Sequence, residues 1–380
     1  MRRRSSQAIH LGVLLMFQTP SVVAFAQGAT STNAVLAHRV DSAMKAFIGA
    51  GDGVGMSVAI TRGSDTVLTG GWGFADIGSS TRATANTSYR IGSMTKQFTA
   101  ALVMRLQEKH RLVLSDSIGA YVADLPPRWR SIPILFLMNH TSGVPDYTAN
   151  REWQAHGADS LSPRQTIGYV ANDTLRFAPG AGWAYSNTGY LLLGLLIEAR
   201  YGKPYAQIVT DEIAKPLGLA QTRFCESESR ANGQAQGYVR AGPTAPFTPA
   251  APHHMMTAFS AGGLCSTVVD FAQWAMALHL GRVVGPDSYA AMTTPQGPAN
   301  LPRPGPQKSR YAFGLQAEQV AAVPALFHGG VTTGFISSTA WIPTDSVSVT
   351  ILTNSPHGAA AFRALLDNIA AMAIAKWRPF

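Results

Sequence analysis

The chain has 380 residues, of which 46% are hydrophobic, 9% aromatic and only 13% charged, enough to close a large core and too apolar for a disordered chain. Two cysteines exclude a disulfide-dense scaffold or a multi-cysteine zinc framework, and after the first thirty residues no apolar stretch approaches the roughly 18 residues that cross a bilayer. The formal charge is +9, but Arg2, Arg3 and Arg4 supply three of those charges and the others are scattered, with no basic stripe interleaved with aromatics. Nucleic acid is therefore not an expected partner.

Taken in chain order, the three arginines precede an apolar run from Leu11 to Phe17 and a small-x-small site at Ala24-Phe25-Ala26. That is the anatomy of a secretory signal peptide over residues 1–26. Gln18 and Pro20 interrupt the segment before it could span a membrane, so no integral membrane segment is expected after cleavage. The expected location is periplasmic or secreted, with the general and twin-arginine export routes both open. Export bears on Cys225 and Cys265. Pairing them would close a loop of about 40 residues and contribute roughly 3 to 4 kcal/mol in the chain-entropy model, whereas two separately buried thiols is the narrowly preferred reading.

Val35, Val40, Met44, Phe47 and Ile48 recur at helical spacing within Ala34–Ile48. Met56–Thr61 and Thr66–Trp72 are β-prone runs around Arg62-Gly63-Ser64-Asp65, a hairpin pattern. A second helix starts near Ser93 and stacks Phe98, Leu102 and Leu106. From about Ser117 to Gly237 the pattern is of short helices broken by Pro and Gly. Within it Thr188–Tyr201 has an apolar face too broad for a surface helix. Pro243, Pro246, Pro249 and Pro252 mark a long connection, and Gly285–Pro306 is turn-rich. Strands are expected at Ala312–Gln316, Ile336–Ile342 and Ser346–Thr353, and a closing helix at Ala359–Lys376. This order predicts a sheet built from both chain ends, about residues 34–116 and 255–380, with an inserted all-helical lobe at about 117–254. A cleft between such lobes is a common small-molecule site.

Ser-x-x-Lys occurs twice. Ser42/Lys45 lies inside the first helix, whereas Ser93/Lys96 follows Ile91-Gly92 and opens a helix, where free backbone N–H groups can stabilise an oxyanion. Lys96 must be neutral to take a proton, which at pH 7 costs about 4 to 5 kcal/mol from an ordinary pKa near 10.4, within the reach of burial. Two more elements accompany the pair. Tyr185-Ser186-Asn187 sits between a Pro179-Gly180 turn and the buried helix, and His328-Gly329-Gly330 sits at the end of a strand.

Ser93-Met94-Thr95-Lys96, Tyr185-Ser186-Asn187 and His328-Gly329-Gly330, in that order, together with Asn139-His140-Thr141-Ser142-Gly143 and Ala261-Gly262-Gly263-Leu264-Cys265-Ser266-Thr267, resemble the serine β-lactamase and penicillin-binding protein superfamily, in its class C-like branch. The resemblance covers nearly all of the chain after residue 26. It implies an α/β (α+β) fold with an antiparallel sheet flanked by helices, and one β-lactamase/transpeptidase-like catalytic domain over 27–380. It also implies Ser93 as acylated nucleophile, Lys96 as its activating partner and Tyr185 as proton carrier, with base duty between the last two left open. Asn187 would position the acyl amide or Lys96, and the backbone N–H groups of Ser93 and Val331 would form the oxyanion hole beside His328, Gly329 and Gly330. No cofactor is implied.

One departure is informative. Where β-lactamases of the superfamily carry Lys-Thr-Gly, this chain has His328 and Gly329, so the fixed positive charge toward a substrate carboxylate is weakened and a hydroxyl donor is lost. That shifts the expectation from β-lactams toward D-amino-acid peptides and small esters, with a slowly acylating penicillin- or peptidoglycan-binding sensor as the alternative. Small-molecule or peptide substrates, peptidoglycan fragments included, are the expected partners. His253-His254 lacks other ligands at metal spacing, so no metal site is expected. His140 is expected to satisfy loop backbone, His279 to cap a helix, and Trp183 to face substrate, two residues before Tyr185.

Overall fold

The structure, a computed structural model, describes residues 23–24, 31–156, 159–225, 233–300, 309–356 and 358–375. The stretch read as a leader lies outside the described residues apart from Val23–Ala24, as do residues 301–308 of the turn-rich stretch and Lys376. Helix α1 (Ser31–Gly49) leads into a hairpin of β1 (Gly55–Arg62) and β2 (Asp65–Asp76), with the tight turn at Gly63 in left-handed φ of 56°. Helix α2 (Thr95–Glu108) follows the Gly92–Met94 3₁₀ turn. The middle of the chain carries α3 (Asn187–Tyr201) and then α4 (Val268–His279). The end supplies β3 (Gln316–Val320), β4 (Val323–Thr332), β5 (Phe335–Ile342), β6 (Val347–Thr353) and α5 (Ala359–Ala375).

The six long strands run in the order β2-β1-β6-β5-β4-β3, all neighbours antiparallel, with the two-residue strands Val23–Ala24 beside β2 and Arg310–Tyr311 beside β3 at the edges, so β1 from the start of the chain pairs with β6 from its end. Seven of the eight β1 residues and all of β5 and β6 are buried. That pattern requires cover on both faces. On one face Leu36, Val40, Met44 and Phe47 of α1 recur one helical turn apart and pack with Phe362, Leu366 and Ile369 of α5 against Met56, Val58, Ile60, Val349 and Ile351. On the other, Phe98 and Leu102 of α2 and Phe271 and Trp274 of α4 join Ala59 and Leu352. Phe98 stacks on Trp274 at 4.0 Å between centroids.

The same buried cluster runs on through Ile134, Leu137 and Met138 into Tyr190, Leu192, Leu193 and Leu196 of α3, so the helical middle and the inner sheet face share one core. α3 is buried over nine residues and ends at Gly202 in left-handed φ. Between residues 117 and 254 the helices are accompanied by three two-residue strands. Arg223–Phe224 pairs with Leu264–Cys265, and Tyr238–Val239 pairs with Thr248–Pro249.

Two expectations are corrected. The strand expected at Ala312–Gln316 begins only at Gln316, and Ala312–Leu315 is a turn: Ala312 N–H donates to the Leu315 carbonyl at 2.8 Å, and Gly314 takes φ of 69°. A Cβ at Gly314 would lie 2.6 Å from the Lys96 carbonyl, so this turn packs its backbone on the start of α2. The cysteines are joined rather than separate. Cys225 lies beside Cys265 because Arg223–Phe224 adds to the strand carrying Cys265, and the two form a disulfide with Cα atoms 5.2 Å apart. The double variant Cys225→Ala/Cys265→Ala is expected to lose about 4 kcal/mol of unfolding free energy, the chain-entropy value for a loop of about 40 residues. Chemical denaturation of the two proteins, with a matching drop for the reduced parent, checks it.

Candidate active site

Ser93 sits in the short turn before α2, three residues ahead of Lys96. Lys96 is wholly buried, and its Nζ lies 3.0 Å from Ser93 Oγ, 2.8 Å from Asn187 Oδ1 and 2.7 Å from the Ala261 carbonyl oxygen. Asn187 is the first residue of α3, whose N-terminus is fixed by Ser186 Oγ accepting from Gly189 N–H. Its orientation is set by Asp146: Asn187 Nδ2 donates to both carboxylate oxygens, at 3.3 and 3.2 Å, and the backbone N–H also donates to Oδ1. With the NH₂ on a carboxylate, the amide oxygen must face the amine.

The three contacts on Nζ decide what the amine can do. Carbonyl oxygens only accept, so Asn187 and Ala261 take two N–H bonds. A neutral amine has only two N–H bonds, and its lone pair is then left for the Ser93 hydroxyl proton. Burial pulls the Lys96 pKa down to about 7, with the Asp146 carboxylate acting in the opposite direction. The amine also stands 4.9 Å from the Tyr185 ring centre and 5.3 Å from that of Tyr190. The other Ser-x-x-Lys is spent on its own helix: Ser42 Oγ donates to the His38 carbonyl and Lys45 pairs with Asp41.

Ser93 and Tyr185 line one cavity of about 410 Å³ with Gly329, Gly330, Val331, Ser338 and Phe362. Two glycines bring its backbone walls together. Gly92 has φ of 50°, and a Cβ there would meet Val331 N at 2.9 Å; a Cβ at Gly330 would meet the Ile91 carbonyl oxygen at 2.0 Å and Ser93 N at 2.9 Å. Ser337 Oγ fastens the same segment by donating to the Ile91 carbonyl at 2.8 Å. The amides of Ser93 and Val331 thus belong to two backbones in close approach, the arrangement an oxyanion hole needs.

His328 is only 1% exposed. Its Nδ1–H donates to the Gly329 carbonyl at 2.6 Å, which leaves Nε2 to accept from Tyr311 Oη at 3.0 Å. His140, in left-handed φ of 64°, accepts the Ser186 N–H on Nδ1 and packs 4.3 Å from the Tyr185 ring centre and 4.4 Å from that of Tyr311. Trp183 stands edge-on to His140. His279 closes α4, bonding Tyr289 and stacking on Trp341. His253 bonds Thr257, and no group of three metal-ligating side chains occurs among the described residues.

Sequence reasoning missed Asp146 and Tyr311. Asp146 comes three residues after the Asn139–Gly143 segment, a carboxylate at the end of an ordered loop, which was the available signal. The turn that seats Tyr311 beside His328 left no trace in the pattern.

A buried Ser-x-x-Lys pair met by a Tyr-x-Asn helix start and a glycine-rich strand, on an antiparallel sheet layered between helices, defines the serine β-lactamase and penicillin-binding protein superfamily. The chain matches the Beta-lactamase family over residues 40–373 and belongs to it. It is 32% identical over 191 residues to penicillin-binding protein 4* of Bacillus subtilis (strain 168), covering 48% of this chain and 41% of the relative. It is 26% identical over 318 residues to the unguisins hydrolase ungD' of Aspergillus campestris (strain IBT 28561), covering 80% of this chain and 59% of that protein. The chain thus spans well under two thirds of each of these relatives. Among solved structures, a D-stereospecific amidohydrolase from Streptomyces sp. superposes with a TM-score of 0.72 at 27% identity, over 84% of this chain and 94% of the other. A D-amino acid amidase from Ochrobactrum anthropi SV3 shares the fold at 23% identity, with a TM-score of 0.77 over 90% and 98% of the two chains.

Three outcomes are expected. Because proton loss from Lys96 frees the lone pair, kcat/KM should rise as pH climbs through about 7. Asp146→Asn removes the charge that favours the ammonium, so the acid limb of the pH profile should move to lower pH. An unmoved limb would disconnect it from Lys96. Gly330→Ala should force the Ile91–Ser93 segment off the strand and lower kcat by about 10²-fold or more, the scale of a lost oxyanion donor, with the far-UV spectrum unchanged.

Proposed function

We propose that the chain is an exported serine hydrolase that cleaves amide or ester bonds of small D-amino-acid or acyl substrates through an acyl-enzyme on Ser93. The observation that carries this reading is the contact between Ser93 Oγ and an amine whose other two positions are taken by the Asn187 and Ala261 oxygens. Lys96 takes the Ser93 proton as the oxygen attacks the substrate carbonyl, and the negative oxygen lodges between the N–H groups of Ser93 and Val331. The C–N or C–O bond breaks, its leaving group takes a proton relayed through Tyr185, and an ester to Ser93 remains. Water, giving a proton to the same Tyr185–Lys96 pair, then releases the acid and restores the serine.

The choice among substrates rests on the cavity wall. His328 is committed to Tyr311 and the Gly329 carbonyl, and Arg363 on the same wall is paired with Glu318 at 2.5 Å and with Asp367. Neither offers the free fixed cation that a β-lactam carboxylate would meet. The D-stereospecific amidohydrolase in the same fold supports a D-amino-acid amide as the first substrate to test. The Cys225–Cys265 disulfide supports an oxidising compartment, hence export.

The test is hydrolysis of a D-alanine amide, a p-nitrophenyl ester and a chromogenic cephalosporin by the parent and Ser93→Ala. The amide or the ester should turn over fastest, the cephalosporin slowest, and Ser93→Ala should lose about 10³-fold or more, the scale of a removed nucleophile. Intact-mass analysis should find the acyl group on the peptide holding Ser93. Full activity in Ser93→Ala would overturn the reading, and one equivalent of acylation without turnover would replace it with the slow sensor.

A further inference from the structure

Three residues before Ser93, Arg90 carries a charge that meets no counter-charge among the described residues. It pairs through its backbone with Cys265 in a short strand, between the wholly buried Tyr89 and Ile91. Its Nε is buried without a hydrogen-bond partner, its guanidinium stands 5.6 Å from the Phe335 ring centre, and no carboxylate among the described residues pairs with it. His253 faces it, with its own pKa pushed down to about 4 by burial and by the Arg90 and His254 charges. Burial draws the Arg90 pKa below its ordinary value. A partly desolvated cation without a partner is costly.

Arg90 lines a separate cavity of about 220 Å³ with Gln234, Gln236, Pro252, Thr333 and Phe335. It lies at the β4–β5 turn, whose residue Gly334 packs on Gly237 and Ala250, just past the Val331 wall of the Ser93 cavity. A guanidinium with side-chain amides and a hydroxyl around a space of this size is a donor set for a planar anion. We propose that this cavity is a carboxylate-binding subsite with Arg90 as its anchor. The carboxylate is either a remote part of the substrate cleaved at Ser93, which would deepen the functional reading, or a separate small organic acid.

Succinate binding to the full chain, followed calorimetrically at matched pH and ionic strength, tests the subsite without any need for Ser93 chemistry. The parent should bind succinate, and Arg90→Gln should weaken it by about tenfold or more, the worth of a charge-assisted hydrogen-bonded pair. Ala251→Phe, which brings bulk from an exposed loop residue that itself lines the cavity, serves if Arg90→Gln does not fold, and should weaken binding likewise. If the carboxylate belongs to the substrate, Arg90→Gln also raises KM for a D-alanine peptide with a free C-terminus and leaves KM for the p-nitrophenyl ester unchanged; if it belongs to a separate ligand, both KM values stay as in the parent. Parent protein that ignores succinate, or Arg90→Gln that binds it equally well, would overturn the proposal.

Discussion

A lysine amine buried among neutral acceptors is the constraint on which the rest of this molecule depends. Water would hold Lys96 protonated, so each element around it excludes water or takes one of its N–H bonds. Helix α2 carries it inward with Phe98, Leu102 and Leu106 wholly buried on the same helix, α3 brings the Asn187 oxygen, and the segment before the disulfide-linked strand brings the Ala261 carbonyl. The cost has a definite sign. Between about 7 and the ordinary lysine value, the unfolded chain binds a proton that the folded chain does not. The contribution of this group to stability therefore rises with pH across that window.

Asp146 keeps that arrangement from drifting either way. By holding the Asn187 NH₂ it points the amide oxygen at the amine, and by its charge it limits how far the pKa of Lys96 falls. The backbone side is shaped by absence of bulk. Gly92 and Gly330 let two chain segments approach more closely than side chains would permit, and Ser337 ties them together. Chemistry and packing thus meet in the same few atoms, since a methyl group at residue 330 would separate Ser93 from the strand beside it.

Much of this was legible in the chain itself. The helical period of Val40, Met44 and Phe47, the Gly63 turn and the β-branched runs near both ends report contacts that local spacing fixes. The Ser93–Lys96, Tyr185–Asn187 and His328–Gly330 groups lie at such local spacings too. What stayed hidden depends on approach in space. The turn at Gly314 is shaped by the backbone of α2, the cysteine pair by a two-residue strand addition, and the burial of His328 by Tyr311, seventeen residues earlier in sequence. None of these leaves a period to read.

The most direct measurement is the titration of Lys96 itself, by carbon-13 labelling of the lysine side chains and assignment of its Cε resonance through Lys96→Arg. A midpoint near 7, moving down in Asp146→Asn, is the result expected of an amine poised to take the Ser93 proton. A resonance that titrates near 10.4, as an ordinary solvated lysine does, would contradict it.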